Sequence, residues 1–525
     1  MTTQSLYHYP AKITNSSIAW EIAQFGAGGA YSTATTAAVI NQIGNRQQMV
    51  WFTSWATDWS ATSNFLQHAW IHWMTRGLYV GFRRIYFNTQ IDDMMLPTAL
   101  YQPADTIFRI RPADLANHVT WMRAINSRMP AGSKYFIEVG YNGNGNIISA
   151  VEADTKGTTC KPDAAIDYLR DPDETALEFQ KPLGTGDNIW PTTPTAYSWS
   201  LACTKLDNLS VWWQTAANRD AFAHLSHTFT HESLNNATYS DVVKEITFNQ
   251  AWMKQVGISA AARFSTGGLI PPAITGLHNG DAIKAWMDNG IKHAVGDNTR
   301  PVLRNPNNQF WPLTSTVAGN GYAGLNIIPR WATTIYYNCD LPACTTNEWI
   351  ATSAGSGDFN ALLKNAKDVN TRNLLSLRQD PFMFHQANMR QTDVPTTTIN
   401  GVSAQLSLLQ AWVETVVQEM VRLTSWPMIT LKHDDIGVAF QNRMARDGCG
   451  YGMTYNYSAD KTKITSVTVT ANGNTCSVPV PVTFPGPVTS TNGGTTAQVG
   501  GDPLTVWTKL SGAPVTFTLT TPVAV

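Results

Sequence analysis

The sequence predicts an α/β barrel of seven or eight strand–helix units, followed by an all-β sandwich. Two patterns carry this. Between about residues 79 and 449, short apolar runs ending in polar residues alternate with segments of helical periodicity, the rhythm of parallel βα units. From about 450 to 525 the chain alternates Val and Thr between Gly, Pro and Asn turns, which is period-two strand patterning without helix. A third observation predicts where the chemistry lies. Asp92–Asp93, His227, Arg263, Asp297 and His385 fall at the ends of predicted strands, and barrels of this kind place their active sites at strand C-terminal ends.

The elements follow in order. Residues 1–78 read as a segment packed on the barrel or as the remnant of a preceding domain. The first barrel strand is "RRIYFNTQIDD", Arg83 to Asp93, and the next helix sets Leu115, Val119, Met122 and Ile125 on one face. "KYFIEVGYNG" is the second strand, and Glu138, Tyr141 and Asn142 near its end are candidates to touch substrate hydroxyls. An insertion holding Cys160, Cys203, Trp190, Trp199, Trp212 and Trp213 follows, expected to shape access to the barrel or to pack as a lid core. Strands are predicted in "FAHLSHTFTHE", "VGISAAARFSTGG", "IKHAVGDNTR", "GLNIIPRWATT" and "DPFMFHQANM". An amphipathic helix from Leu406 to Leu423 then leads into a last strand, "PMITLKHDD". In the sandwich only Trp507 offers an aromatic face for a glycan, so a structural cap is the simpler reading.

Composition narrows the function. Lys plus Arg number 36 against 37 Asp plus Glu, a net charge of −1, which gives no attraction to nucleic acid or an anionic membrane. No uncharged apolar run reaches the ~18 residues of a membrane span. Charged residues make up only 14% of the chain, so solubility rests on Thr, Asn, Ser, Gln and Gly, as is common in secreted proteins. The six cysteines allow 15 pairings. Their order suggests three local bridges, Cys160–Cys203, Cys339–Cys344 and Cys449–Cys476. No C-x-x-C pair points to a thiolate zinc site. Four N-x-[ST] sequons, at Asn15, Asn208, Asn236 and Asn456, favour the secretory route together with the even cysteine count. The opening Met-Thr-Thr-Gln has neither a basic nor an apolar leader region, so a signal is expected upstream or export is indirect.

Two clusters carry chemistry. Asp92–Asp93 ends an apolar strand. Adjacent residues of an extended chain face opposite sides, so one carboxylate can bind a metal and the other face substrate if a turn begins there. His227-Thr228-Phe229-Thr230-His231 places two imidazoles four residues apart. Two neutral imidazoles and one Asp form a three-ligand zinc set with positions left for water. The run is not the H-E-x-x-H of a metalloprotease, since Ser-Leu-Asn follows His231-Glu232.

"TQIDD", "HTFTH", "ARFSTGG", "HAVGDNTR" and "FMFHQ", in this order, resemble the motifs of the polysaccharide deacetylase (NodB homology, carbohydrate esterase) superfamily over about residues 83–433. "FTSWATDWSATSNFLQHAWIHWMTRGLY", "YFNTQIDDM", "HTFTHESLN" and "DPFMFHQANM" are similar to the fungal secreted galactosaminogalactan deacetylases. The resemblance implies the distorted (β/α)7–8 barrel of the polysaccharide deacetylase type. It also implies a zinc-dependent enzyme, or one using another divalent transition metal, that removes acetyl groups from N-acetylgalactosamine in an extracellular or cell-wall polymer. By resemblance Asp93, His227 and His231 hold the metal and Asp92 is the general base. His385 protonates the leaving amine, Arg263 keeps Asp92 ionised, and Asp297 orients His385. The chain departs from the pattern in two places. The arginine strand lacks a nearby Pro-Tyr, Pro271 and Pro272 coming later, and "LKHDD" makes His433 a rival to His385. Topology favours His385, because a long helix and a last apolar strand follow it. The partner is then an amino-sugar polysaccharide, met by a monomer. Other readings are a deacetylase of chitin or poly-N-acetylglucosamine, a glycoside hydrolase pairing Asp92 with Glu138 or Glu232, and a catalytically dead glycan-binding protein.

Overall fold

A computed structural model describes every residue except Asn45 and Glu174. At its centre is one sheet built from β1 (Thr89–Met94), β2 (Ile137–Tyr141), β3 (Ala223–Ser226), β4 (Phe264–Leu269), β5 (His293–Val295), β6 (Leu313–Thr314), β7 (Asn326–Ile328) and β8 (Phe382–His385). The order is β6-β7-β5-β4-β3-β2-β1-β8, parallel throughout except for the short antiparallel β6. Just beyond β7, Trp331 makes a parallel bridge to Phe382 of β8. That bridge joins the two ends of the parallel run and closes a seven-stranded ring, within the expected count.

Helices cover the ring as their periodicity requires. Pro112–Arg128, Tyr239–Gln255, Gly280–Asp288, Phe359–Leu375 and Leu408–Leu423 turn apolar faces inward. The last begins in a capping box. The Ser407 hydroxyl accepts the Gln410 N–H and the Gln410 side chain accepts the Ser407 N–H, satisfying two backbone donors at the helix start. Its Trp412 then packs on Phe87, Phe382 and Phe384.

The first strand is shorter than the sequence suggests. "RRIYFNTQIDD" splits into Ile85–Tyr86, which pairs with Met428–Ile429, and β1. "PMITL" therefore forms a two-residue strand, and "KHDD" opens the helix His433–Gly448.

Residues before the barrel form an antiparallel sheet (Ala19–Phe25, Thr35–Ile43, Arg46–Trp51) and the helix Ala61–Thr75. This helix docks on the barrel, where His68 Nε2 bonds the Leu375 carbonyl at 2.8 Å. The C-terminal sandwich has two sheets. One contains Gly452–Tyr457, Lys463–Thr470 and Val515–Ala524. The other contains Thr495–Ala497, Leu504–Thr508 and Val480–Phe484, completed by Tyr79–Val80 from ahead of the barrel. The boundary expected at residue 78 therefore lies beside a strand shared with the sandwich. Arg83 pairs with Asp502 across the same seam at 3.2 Å. Trp507 packs on Phe82 and under Arg446 rather than standing free for a glycan.

All six cysteines are paired as their order suggests: Cys160–Cys203, Cys339–Cys344 and Cys449–Cys476. Trp190, Trp199 and Trp213 of the insertion are fully buried around Phe229, Phe248 and Tyr141, making a packed core. No helix among the described residues is long and apolar enough to cross a membrane.

Candidate active site

The C-terminal ends of β1, β3, β7 and β8 meet beneath a cleft of about 780 Å³ lined by Asp92, Asp93, His227, His231 and His385, among others. On β1, Gln90 and Asp92 share the inner face. Asp93 would point away if the strand continued. Its φ of 63° instead puts it in the left-handed region, which turns its carboxylate to the same mouth. The requirement for a turn at the Asp-Asp pair is thus met by one strained residue.

β3 ends at Ser226, and the following loop carries both histidines. Thr228 and His231 adopt φ of 67° and 72°. Buried groups hold these turns. Glu245 accepts the N–H groups of Phe229 and Thr230 at 2.7 and 2.9 Å, and the Thr230 hydroxyl as well. Asn142 donates to the carbonyls of His227 and Thr228 at 2.5 and 3.2 Å. His227 Nδ1 donates to the Ile270 carbonyl at 2.8 Å, which turns Nε2 towards Asp93. His227 Nε2 lies 3.0 Å and His231 Nε2 3.3 Å from Asp93 Oδ1. One ligand atom from each of Asp93, His227 and His231 lies within 4.8 Å of the others.

This donor set fits a divalent cation on its own chemistry. Burial pushes His231 down to about 4, so its imidazole is neutral at pH 7, the form that ligates metals. Burial alone would raise the Asp93 carboxyl, but the His227 hydrogen bond and the His231 charge outweigh it and hold it well below the usual range. His227 is raised, burial being outweighed by its bond to Asp93 and the charges of Asp92 and Asp93, so the site favours positive charge.

Beside this cluster Asp92 accepts two parallel bonds from Arg330, Nη1 to Oδ2 at 2.9 Å and Nη2 to Oδ1 at 2.5 Å. Both side chains are almost fully buried. His385 Nε2 lies 3.8 Å from Asp92 Oδ2. Burial holds His385 below the ordinary imidazole value, against the opposing pull of Asp93 and Asp92.

Several expectations need correction. Arg263 does not pair with Asp92. It precedes β4, at the opposite end of the barrel, and donates to the carbonyls of Ala221 and Phe222. "VGISA" ends a helix and makes a 3-10 turn after Gly257 (φ 83°), so the strand starts only after the arginine. The arginine that meets Asp92 is Arg330, two residues past β7. Its signal was the apolar run "NIIPR", which ends in a cation as other productive strands end in charge. Asp297 does not orient His385. Its Oδ1 accepts the Thr299 N–H and hydroxyl in a local turn, and His385 Nδ1 has no hydrogen-bond partner among the described residues.

The residues expected to bind substrate are interior ones. Glu138 lies inside the barrel, accepting from Gln90, Ser265 and the His433 N–H. The Tyr141 hydroxyl bonds His224, and Asn142 braces the histidine loop. His433 is buried beneath the site, its Nε2 bonded to the His293 carbonyl, while His385 lines the cleft. Glu232 accepts from Trp190. Neither Glu138 nor Glu232 stands in the cleft with Asp92, so neither of the glycosidase pairings expected for Asp92 forms.

A closed α/β barrel with an Asp–His–His cluster and a buried Asp–Arg pair at its mouth is organised for hydrolysis, and comparison with known proteins assigns the chain to the carbohydrate deacetylases, polysaccharide N-deacetylases that cleave acetamide C–N bonds. The Agd3 deacetylase domain matches residues 87–454, Agd3 CBM87 residues 1–73 and the Agd3 C-terminal domain residues 455–523. The chain belongs to the Agd3 deacetylase family. The crystal structure of Agd3, described as a novel carbohydrate deacetylase, is 58% identical over 100% of this chain and 78% of its own, with a TM-score of 0.98. A 4-alpha-glucanotransferase from Thermococcus litoralis aligns over 67% of this chain and 40% of its own at 11% identity, but its TM-score of 0.34 carries no argument. No curated protein matches significantly.

Proposed function

We propose that this deacetylase is a secreted, monomeric, metal-dependent enzyme that removes acetyl groups from N-acetylgalactosamine residues of an extracellular polymer of the galactosaminogalactan type. The observation that carries the metal reading is the convergence of Asp93, His227 and His231, with Asp92 beside them. Two imidazoles and a carboxylate are a donor set that suits Zn2+. Export is supported by three disulfides, which persist in oxidising compartments.

Asp93, His227 and His231 would hold a divalent cation, which would supply a water of lowered pKa and polarisation of the acetyl carbonyl. The protein supplies the rest. Asp92 takes the proton of the attacking water as the new C–O bond forms at the acetyl carbon. Arg330 fixes that carboxylate by its two-point grip, so the base cannot rotate away from the cleft. His385 Nε2, 3.8 Å from Asp92 Oδ2, receives that proton and passes it to the amide nitrogen as the C–N bond breaks, leaving acetate and a free amino sugar.

The test is acetate release from N-acetylgalactosamine and N-acetylglucosamine oligomers, with and without a chelator. The expected result is release from the galacto oligomers that stops on chelation and returns with Zn2+. Chelator-insensitive release would remove the metal from the reading, and preference for N-acetylglucosamine would move the substrate to chitin or a related polymer.

A further inference from the structure

A large aromatic side chain stands at the cleft mouth with no role so far. Tyr337 lines the cleft, is 55% exposed, and meets His385 edge-on with ring centroids 5.8 Å apart. An exposed tyrosine is ordinary on a mobile loop, but this one is rigidly held. Trp331 bridges β8, and the Thr333 hydroxyl donates to the Met383 carbonyl at 2.9 Å. Beyond the tyrosine the Cys339–Cys344 bridge closes the segment. The Tyr336 hydroxyl is bonded to Ser353.

The decisive contact is Asn388. Its buried amide donates to the carbonyls of Tyr336 and Cys339, both at 2.8 Å, while its Oδ1 accepts the His385 N–H at 2.8 Å. One side chain therefore ties the main chain on both sides of Tyr337 to the main chain of His385. An exposed aromatic ring costs solubility unless something covers it, and a fixed ring loses little conformational freedom when it binds.

We propose that Tyr337 is a substrate-binding residue, a platform on which the apolar C–H face of the substrate's pyranose ring packs, with Asn388 as the positioning residue that ties the platform's main chain to that of His385. The proposal rests on the reading of the cleft as an amino-sugar site. A flat C–H face against an aromatic ring buries apolar surface without demanding a hydrogen bond. It would hold the sugar so that its acetamide nitrogen comes within reach of Nε2.

The test compares the wild type with Tyr337→Ala and Tyr337→Phe in kcat and KM for N-acetylgalactosamine oligomers. Oligomer Kd is measured by calorimetry with the same substitutions placed on Asp92→Asn. The expected result is a five- to tenfold rise in KM and Kd for Tyr337→Ala, kcat within about twofold, and Tyr337→Phe close to wild type because the ring face is kept. An unchanged Kd for Tyr337→Ala overturns the platform. So does a Tyr337→Phe as weak as Tyr337→Ala, which would assign the binding to the hydroxyl. If the wild type releases no acetate, the proposed reaction falls, and the Kd comparison still decides the platform.

Discussion

Arg330 and Asp92, 238 residues apart in sequence, form a two-point ion pair buried at the barrel mouth, 2.9 and 2.5 Å long. Removing one partner of such a pair leaves an uncompensated buried charge, which costs about 3–5 kcal/mol. Arg330→Lys keeps the charge but loses the fork. We expect Arg330→Lys to retain stoichiometric metal and to lose about 10²-fold in kcat, read by acetate release alongside metal content. Wild-type kcat in this variant would show that the grip is dispensable.

The neighbouring carboxylates should separate cleanly. Asp93→Ala or His227→Ala is expected to lose bound metal and acetate release together. Asp92→Asn is expected to keep the metal and lose turnover by at least about 10²-fold, the range of a general base. Metal analysis of the purified variants distinguishes them, and metal loss in Asp92→Asn would put that residue among the ligands.

Asn142 braces the histidine loop through the carbonyls of His227 and Thr228. Groups that orient ligands typically contribute about 10–100-fold to metal affinity. Asn142→Ala should therefore weaken metal affinity by about tenfold and, at saturating metal, leave KM unchanged. A raised KM with unaltered metal affinity would restore it as a substrate contact.

Stability should fall on acidification. Burial lowers His118 to about 4, and His224 and His433 to about 3. A depressed pKa contributes stability that is present above the unfolded value near 6.5 and lost as pH falls towards the folded value. Glu138 acts the other way. Burial raises it to about 7, and its contribution is lost as pH rises from about 4.5 to 7. Burial likewise raises Glu232, to about 9, so between about pH 4.5 and 6.5 the unfolded chain holds three histidine protons that the fold lacks, while the fold holds two glutamate protons that the unfolded chain lacks. The net slope from these groups is at most about 1.4 kcal/mol per pH unit. Denaturant titrations across this window should show it, and His118→Gln should flatten it. A flat profile would mean that these histidines are not desolvated.

Much of the site was legible because its residue types are specialised. Two carboxylates at a strand end and two histidines four apart have few uses other than metal and proton chemistry, and the structure gathers both clusters at one mouth. The parts that were not legible depended on where strands begin. Arg263 and Arg330 both stand beside apolar runs, but Arg263 precedes its strand and Arg330 follows its own, which puts them at opposite ends of the barrel. Glu138, Tyr141 and Asn142 looked like cleft residues because β2 ends there, yet the interior of the ring is itself polar enough to absorb them.

Local sequence by itself determined the barrel-plus-sandwich class, the three bridges and the identity of the Asp and His residues, because periodicity, cysteine order and ligand chemistry are properties of short segments. Only the tertiary structure decided which arginine meets Asp92, that His385 rather than His433 lines the cleft, and that Tyr79–Val80 completes the sandwich. These are long-range pairings set by ring closure and by the burial of charge, and no short stretch of chain carries that information.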